Sequence, residues 1–132
     1  MTKHKPGPII YKTQQELDHA VQLWQARLRL SDWHIMARIR RQFQMSEGSQ
    51  GDVGWEPKSK SATIRLLDPI DYDPNFIHVQ DHEKTLVHEM VHLFFPREGN
   101  EQYEPEIESL ACAFISLSRG FDRATDAYEG AF

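Results

Sequence analysis

Cysteine and long apolar runs are the features that this sequence most clearly lacks. Cys112 is the only cysteine among 132 residues, so no disulfide can form within the chain and a cysteine-based zinc site is excluded. No apolar stretch approaches the roughly 20 residues that a membrane-spanning helix needs. Because cysteine is excluded, any metal would be bound by histidine, aspartate or glutamate side chains. Because no long apolar run is present, we expect no membrane partner.

The first residues also lack an apolar segment. Residues 1–12 are polar, without the apolar core of a secretory signal, so we expect a loose leader and a cytoplasmic protein. The formal net charge of −5 disfavours nucleic-acid binding, for which the stretch Arg38-Ile39-Arg40-Arg41 would be the one weak signal. The composition, with 39% hydrophobic and 27% charged residues, indicates a single folded domain. We place it at residues 13–120, with a C-terminal tail at 121–132.

Hydrophobic periodicity predicts an α+β fold. Thr13 and Asp81 are typical helix N-caps, and Pro96 and Gly120 are typical of the residues that follow a helix end. Apolar residues alternate with polar ones in the segments between the first two helices, which predicts strands. The predicted order is an N-terminal helix, a short and mostly antiparallel sheet, a second helix and a C-terminal helix. The helices are predicted over about 14–30, 82–95 and 105–119, and the strands over about 33–43, 52–56 and 61–67.

The second predicted helix carries two histidines that lie one turn apart. His88 and His92 are four residues apart, so both imidazoles lie on one helix face and can bind one metal ion. Glu89 is placed to reach a metal-bound water rather than the metal. This H-E-x-x-H pattern predicts two zinc ligands and a general base, because zinc lowers the pKa of its water and Glu89 can take the proton. The alternative is a pair of core histidines that hydrogen-bond to backbone or carboxylate groups.

A zinc site of this kind needs a third ligand, and no histidine follows His92. The downstream candidates are carboxylates, and two of them, Glu104 and Glu108, lie one turn apart on the last predicted helix. We favour Glu108, because it shares a helix face with the small Ala111, and we place Glu104 second. The remaining downstream carboxylates are Glu101 and Glu106, which we expect to be solvated acids near a helix N-terminus.

Weaker candidates lie elsewhere in the chain. His78 and His82 precede the motif and are weaker ligand candidates, since either could equally be a surface residue. Stabilisation of a transition state usually requires a further hydrogen-bond donor near the metal. The candidates for that donor are Tyr103, His78, His82 and Tyr128, among which the sequence does not select.

The motif His88-Glu89-Met90-Val91-His92, followed by Glu108-Ser109-Leu110-Ala111, resembles the gluzincins, which are zinc metallopeptidases with two histidines and a downstream glutamate as ligands. Over residues 13–118 the layout is also similar to very small H-E-x-x-H proteins of bacteria and phages, including the junction Leu30-Ser31-Asp32-Trp33 before the first strand. The resemblance implies His88, His92 and Glu108 as Zn²⁺ ligands and Glu89 as the catalytic base. The stretch from His92 to Glu108 is shorter than in large gluzincins, which leaves little room for a second subdomain.

Two functions from different classes remain. The first is a zinc-dependent metallopeptidase that hydrolyses peptide bonds of a protein or peptide substrate. The second is a zincin-fold binding or regulatory protein with a structural zinc and no peptidase activity. Glu89 favours the enzyme, because a purely structural site has no use for a general base.

The resemblance also implies how a substrate would bind. In zincins, a peptide adds as a further strand to an exposed edge strand beside the metal helix. We expect that edge at Ser61–Leu67, with Thr63 and Arg65 facing outward. The alternative is a plain edge strand that Lys60 and Arg65 protect from pairing.

Overall fold

A computed structural model of the chain describes residues 7–120. Over that range the α+β class is confirmed, because three helices pack on one three-stranded sheet. None of these helices is long and apolar enough to cross a membrane. The predicted tail, 121–132, lies outside the described residues. The helices are α1 (Gln14–Arg27), α2 (His82–His92) and α3 (Glu104–Ser118), and the strands are β1 (His34–Arg40), β2 (Gly51–Glu56) and β3 (Ser61–Leu67).

The sheet is mixed, and β3 lies at its centre. The strand order is β1-β3-β2, with β3 parallel to β1 and antiparallel to β2. The prediction that Ser61–Leu67 is an exposed edge strand is therefore wrong, because its backbone is paired on both sides. Arg65 does not face a ligand either, since its guanidinium binds the Asp52 carboxylate through two contacts of 2.7 Å. The cause of the error is that alternation reports the faces of a strand and not its neighbours.

All three helices lie on the same side of the sheet, and α2 is sandwiched between the sheet and α3. The β3 residues Ala62, Ile64 and Leu66 are buried, whereas Thr63 on the opposite face is exposed. In α2, 8 of the 11 residues are buried. Polar side chains on this helix therefore depend on protein groups or a bound ligand for their hydrogen bonds.

Part of the predicted leader is held against the N-terminal end of α2. The N–H of Ile9 donates to Asp81 Oδ1 over 3.2 Å, and the N–H of His82 donates to the Ile9 carbonyl over 2.7 Å. Tyr11 is buried, and its ring stacks on that of His82. Two residues of the predicted leader, Ile9 and Tyr11, therefore contact the N-terminal end of α2.

The link between α2 and α3 sets the position of the site. The helix α2 ends at His92, three residues earlier than predicted, and the chain continues to Phe95 through tighter turns. Gly99 has a φ of 78°, a left-handed conformation that glycine adopts readily. A short 3₁₀ turn over Asn100–Tyr103 then leads directly into α3. This reversal packs the first turns of α3 against the last turns of α2.

Candidate metal centre

Both histidines of the motif and one glutamate of α3 converge on a single point. The Nε2 atom of His88 lies 2.5 Å from Oε1 of Glu104, and Nε2 of His92 lies 3.2 Å from the same oxygen. One ligand atom from each residue lies within 4.8 Å of the others, so one metal ion could bind all three. The second oxygen of Glu104, Oε2, also lies 3.2 Å from Nε2 of His92, and it is buried without a well-directed hydrogen bond among residues 7–120. A cation bound here would satisfy that oxygen.

The other ring nitrogen of each histidine already has an acceptor. His88 Nδ1 lies 2.8 Å from Glu108 Oε1, and His92 Nδ1 lies 3.2 Å from Asn100 Oδ1. The Asn100 amide donates to the backbone oxygens of His92 and Phe95, which turns its own oxygen toward the ring. Both Nδ1 atoms therefore carry hydrogen, and both Nε2 atoms face Glu104. Ligation of a metal through Nε2 requires this arrangement.

The site carries an excess of negative charge. Burial favours the neutral form of the His88 imidazole, but the carboxylates of Glu89, Glu104 and Glu108 together raise its pKa. Burial also works against the charged form of Glu108, but the hydrogen bond from His88 and the ammonium of Lys84 lower the pKa of this carboxyl. A positive charge between the imidazoles and Glu104 is thus strongly favoured, whether a proton or a metal ion supplies it.

Glu89 lies beside this group of ligand atoms and is not part of it. Only 7% of the residue is exposed, and its Oε2 lies 3.4 Å from the position that a Cβ on Gly51 would occupy. Burial raises the pKa of Glu89 to about 7, although the neighbouring His88 works in the opposite direction. A carboxylate with this placement and pKa can accept a proton at neutral pH.

The structure separates the two glutamates that were candidates for the third ligand. Glu104 faces both Nε2 atoms, whereas Glu108, the favoured candidate, binds Nδ1 of His88 and lies 3.2 Å from Lys84 Nζ. The geometry therefore favours Glu104 as the third ligand and gives Glu108 the task of orienting the His88 ring. Which glutamate faces the Nε2 atoms depends on where α3 begins relative to α2. Hydrophobic periodicity does not specify that position.

His82, on the same helix, is a core histidine. It is 1% exposed, and its Nδ1 accepts a hydrogen bond of 3.0 Å from the N–H of Tyr11. Its Nε2 donates to the carbonyl of Leu67 over 2.8 Å. Burial lowers the pKa of His82, in keeping with a neutral ring. Because both nitrogens are used by backbone groups, His82 cannot bind the metal without losing one of them.

The remaining candidate donors differ in their distance from the site. His78 lines the cleft in front of His88 and Glu89. Tyr103 is half exposed and packs against Phe95, outside the clefts that border the site. Tyr128 lies outside the described residues. Of these donors, His78 is the one that the described part of the chain places in a cleft together with Glu89.

Sequence reasoning missed two residues that contact the site. Asn100 is 2% exposed and holds His92, and a lone asparagine between two helices, directly after a glycine, is a weak signal for it. Lys84 pairs with Glu108. Its position four residues before His88, on the same helix face, could have identified it.

Two clefts that are open to solvent border the site. The first, of about 390 Å³, lies against the first turns of α2 and the apolar side chains of the segment before it. The second, of about 340 Å³, lies between β2 and the turn that precedes α3. Gly51, Glu89 and Glu104 line both clefts.

Comparisons with protein-family models, with curated proteins and with solved structures found no match to this chain. Function therefore has to be inferred from the residues of the site.

Proposed function

We propose that this chain is a zinc-dependent peptidase of the gluzincin type, with His88, His92 and Glu104 as zinc ligands and Glu89 as the general base. The observation that carries the proposal is the orientation of the two imidazoles. Each Nδ1 is fixed by its own acceptor, and each Nε2 faces the same glutamate oxygen. A core histidine requires only a hydrogen-bond partner for each ring nitrogen. That requirement does not explain why two histidines direct Nε2 at the same carboxylate oxygen.

The donor set fits zinc. Zinc binds imidazole nitrogen and carboxylate oxygen readily, and catalytic zinc sites use three protein ligands and keep a further position free. Over residues 7–120, the group of candidate ligand atoms has three members. A structural site would instead be closed by a fourth protein ligand. The buried Glu104 Oε2, which lacks a well-directed hydrogen bond among the described residues, is a further acceptor for a cation.

Glu89 supplies the proton transfer that peptide hydrolysis requires. When bound, zinc supplies a Lewis acid that polarises the scissile carbonyl and lowers the pKa of a water molecule. The Glu89 carboxylate accepts a proton from the water whose oxygen bonds to the carbonyl carbon. As the C–N bond breaks, Glu89 returns that proton to the departing nitrogen. Its position along the border of both clefts gives it access to a substrate on either side.

The substrate would bind along β2 instead of β3. The carbonyl of Gln50 accepts from the N–H of Leu67, and in an antiparallel pair this fixes which residues of β2 bond to β3. The backbone groups of Gly51, Val53 and Trp55 then point away from β3, where those of Gly51 bond to the Ser49 hydroxyl. The outward backbone groups of Val53 and Trp55 lie along the cleft beside Glu89. An extended peptide can pair with them as an additional strand.

The test combines metal content with the role of Glu89. We expect about one zinc per native chain by mass spectrometry. We expect Glu89→Gln to retain that zinc while peptide hydrolysis falls by roughly 10²- to 10⁴-fold, the usual contribution of a general base. Glu106→Gln is the matched control, since Glu106 is exposed on the same helix as Glu104, and it should retain both properties.

Either of two results would contradict the proposal. A native chain that binds no zinc when zinc is supplied would make His88 and His92 core histidines. A chain that binds zinc but cleaves no peptide, with Glu89→Gln behaving as the native protein, would instead identify a binding or regulatory protein with a structural zinc.

A further inference from the structure

The two clefts at the site share part of their lining, and together they are called the groove below. They share Gly51, Glu89 and Glu104 as walls, and each extends away from these residues in a different direction. The first runs toward Phe76 and Val79, and the second follows β2 as far as Trp55. The stretch of β2 from Gly51 to Trp55 covers about 13 Å at the usual rise per residue. The groove therefore passes over Glu89 and continues on both sides of it.

Gly51 lines both clefts and lies at the point where β2 comes closest to Glu89 and Thr85. A Cβ at this position would lie 2.4 Å from Cγ2 of Thr85, 3.2 Å from the Arg65 carbonyl and 3.4 Å from Oε2 of Glu89. A side chain would therefore force the start of β2 away from α2, at the point where β2 passes Glu89. The absence of a side chain lets the start of β2 lie against α2 beside the general base.

Charged groups that could bind the terminus of a peptide are mostly paired within the protein. An enzyme that removes terminal residues needs a charged group to bind the terminal ammonium or carboxylate. In the first cleft, Lys84 pairs with Glu108 at 3.2 Å. In the second, Asp52 pairs with Arg65 at 2.7 Å. Glu101 lines the outer part of the second cleft, where it is exposed and its charge is screened by solvent.

We propose that the groove binds an internal segment of an extended polypeptide, so that the protein cleaves within chains and does not release terminal residues. This inference rests on the proposed peptidase function and adds the class of substrate. A groove that continues on both sides of Glu89 accommodates residues before and after the scissile bond. The β2 edge offers outward backbone groups at Val53 and Trp55, and hydrogen bonds to them are independent of the distance to a chain end.

The first experiment compares blocked and free peptide ends. Mixed-sequence peptides of about ten residues, long enough to cross the groove, are prepared with free termini and with acetylated and amidated termini. Cleavage sites are mapped by mass spectrometry with the native protein, with Glu89→Gln and with Glu101→Gln. We expect equal cleavage of both sets at internal bonds and loss of both in Glu89→Gln. Glu101→Gln should affect the two sets equally, because a group that binds an internal segment does not distinguish free from blocked ends.

The second experiment tests the groove through Gly51. Gly51→Ala should lower kcat/KM for blocked peptides by up to about a hundredfold, because a displacement of about 1 Å at a substrate-positioning element has effects of this size. The ligands lie on α2 and α3, so its zinc affinity should be unchanged. Gly54→Ala is the matched control, since a Cβ there meets nothing within 4 Å. The same comparison can be made without turnover by measuring the affinity of fluorescein-labelled blocked peptides. The two proteins compared are Glu89→Gln and the double variant that also carries Gly51→Ala.

The outcomes separate this inference from the proposed function. Cleavage restricted to free-ended peptides, with release of terminal residues and a loss in Glu101→Gln, would retain the peptidase and overturn the internal-segment assignment. Equal activity of Gly51→Ala and Gly54→Ala would also overturn it. If zinc binds but neither peptide set is cleaved or bound, the peptidase function fails, and this inference fails with it.

Discussion

The two ends of α2 use histidine in different ways. At the N-terminal end, His82 gives both ring nitrogens to backbone groups, the N–H of Tyr11 and the carbonyl of Leu67. At the C-terminal end, His88 and His92 use Nδ1 for hydrogen bonds to side chains and keep Nε2 for a shared position. His82 and His92 are both buried, so burial does not separate them. What separates them is whether a nitrogen remains for a metal after the hydrogen bonds are counted.

The balance of charge differs between the same two ends. Near His82, Arg119 lies within 2.9 Å of Asp81 and 3.1 Å of Glu83, and the indole of Trp24 also donates to Glu83. Near His88, the carboxylates of Glu89, Glu104 and Glu108 are accompanied by the single ammonium of Lys84 among the described groups that pair with them. At the first, N-terminal end one cation contacts both carboxylates, whereas at the second, C-terminal end one cation accompanies three.

The largest expected effect is the loss of zinc binding on removal of a histidine from the second end. His92→Ala removes a ligand and should weaken zinc binding by more than the roughly 10- to 100-fold that follows loss of an outer hydrogen-bond partner. His82→Ala should leave zinc affinity unchanged wherever the protein is folded. Calorimetric titration of the metal-free proteins with zinc measures both. A folded His82→Ala protein that no longer binds zinc would remove the distinction between the two ends.

The complementary effect is a loss of stability at the first end. His82→Ala leaves the Tyr11 N–H without its partner and removes one of the two side-chain hydrogen bonds to the Leu67 carbonyl, to which Gln80 also donates. It should lower the free energy of unfolding by about 1–3 kcal/mol. His19→Ala is the control, because His19 is exposed on α1 and its loss should change stability by less than about 0.5 kcal/mol. Urea unfolding with a metal chelator present measures both. Equal stability of the two variants would show that His82 is not a structural residue.

Substitutions of Glu104 and Glu108 compare the contributions of these two carboxylates to zinc binding near the C-terminal end of α2. Glu108→Gln weakens the acceptor for His88 Nδ1 and should reduce zinc affinity by roughly 10- to 100-fold. Glu104→Gln removes the carboxylate that faces both Nε2 atoms and should reduce it further. Zinc titration of the two variants under identical conditions ranks them. The reverse order would restore Glu108 as the third ligand, as the sequence alone suggested.

The helices, the strands and the H-E-x-x-H motif could be predicted from the sequence because they depend on the spacing of residues close together in the chain. The bounds of β3 match the alternation over 61–67, and Asp81 caps α2 by accepting from the N–H of Lys84. The separation of His88 and His92 places both imidazoles on one face of any helix. The predicted general base, Glu89, lies next to the predicted ligands for the same reason.

What could not be predicted depends on contacts between segments distant in sequence. Alternation within β3 does not reveal that β1 and β2 pair on either side of it. The choice between Glu104 and Glu108 depends on how the chain turns after His92, and only three-dimensional packing brings Asn100 to that ring. Tertiary contacts thus decide which strands lie at the sheet edges and which glutamate faces both histidines, while local periodicity decides the helices and strands themselves.

The smallest expected effect concerns the pH dependence of stability at the first end. Burial lowers the pKa of His82 in the folded protein, whereas the unfolded chain has the ordinary value of about 6.5. The unfolded state therefore binds more protons below that pH. The stability from neutral His82 is complete above about pH 6.5 and is lost as the pH falls toward the folded pKa.

The difference in free energy of unfolding between the native protein and His82→Ala should then narrow on acidification, by at most about 1.4 kcal/mol per pH unit. Titrating groups near His88 are common to both proteins and cancel in the difference. Urea unfolding at pH 7 and pH 5, with chelator present, measures this change, and a difference that grows on acidification would assign a charged His82 to the folded core.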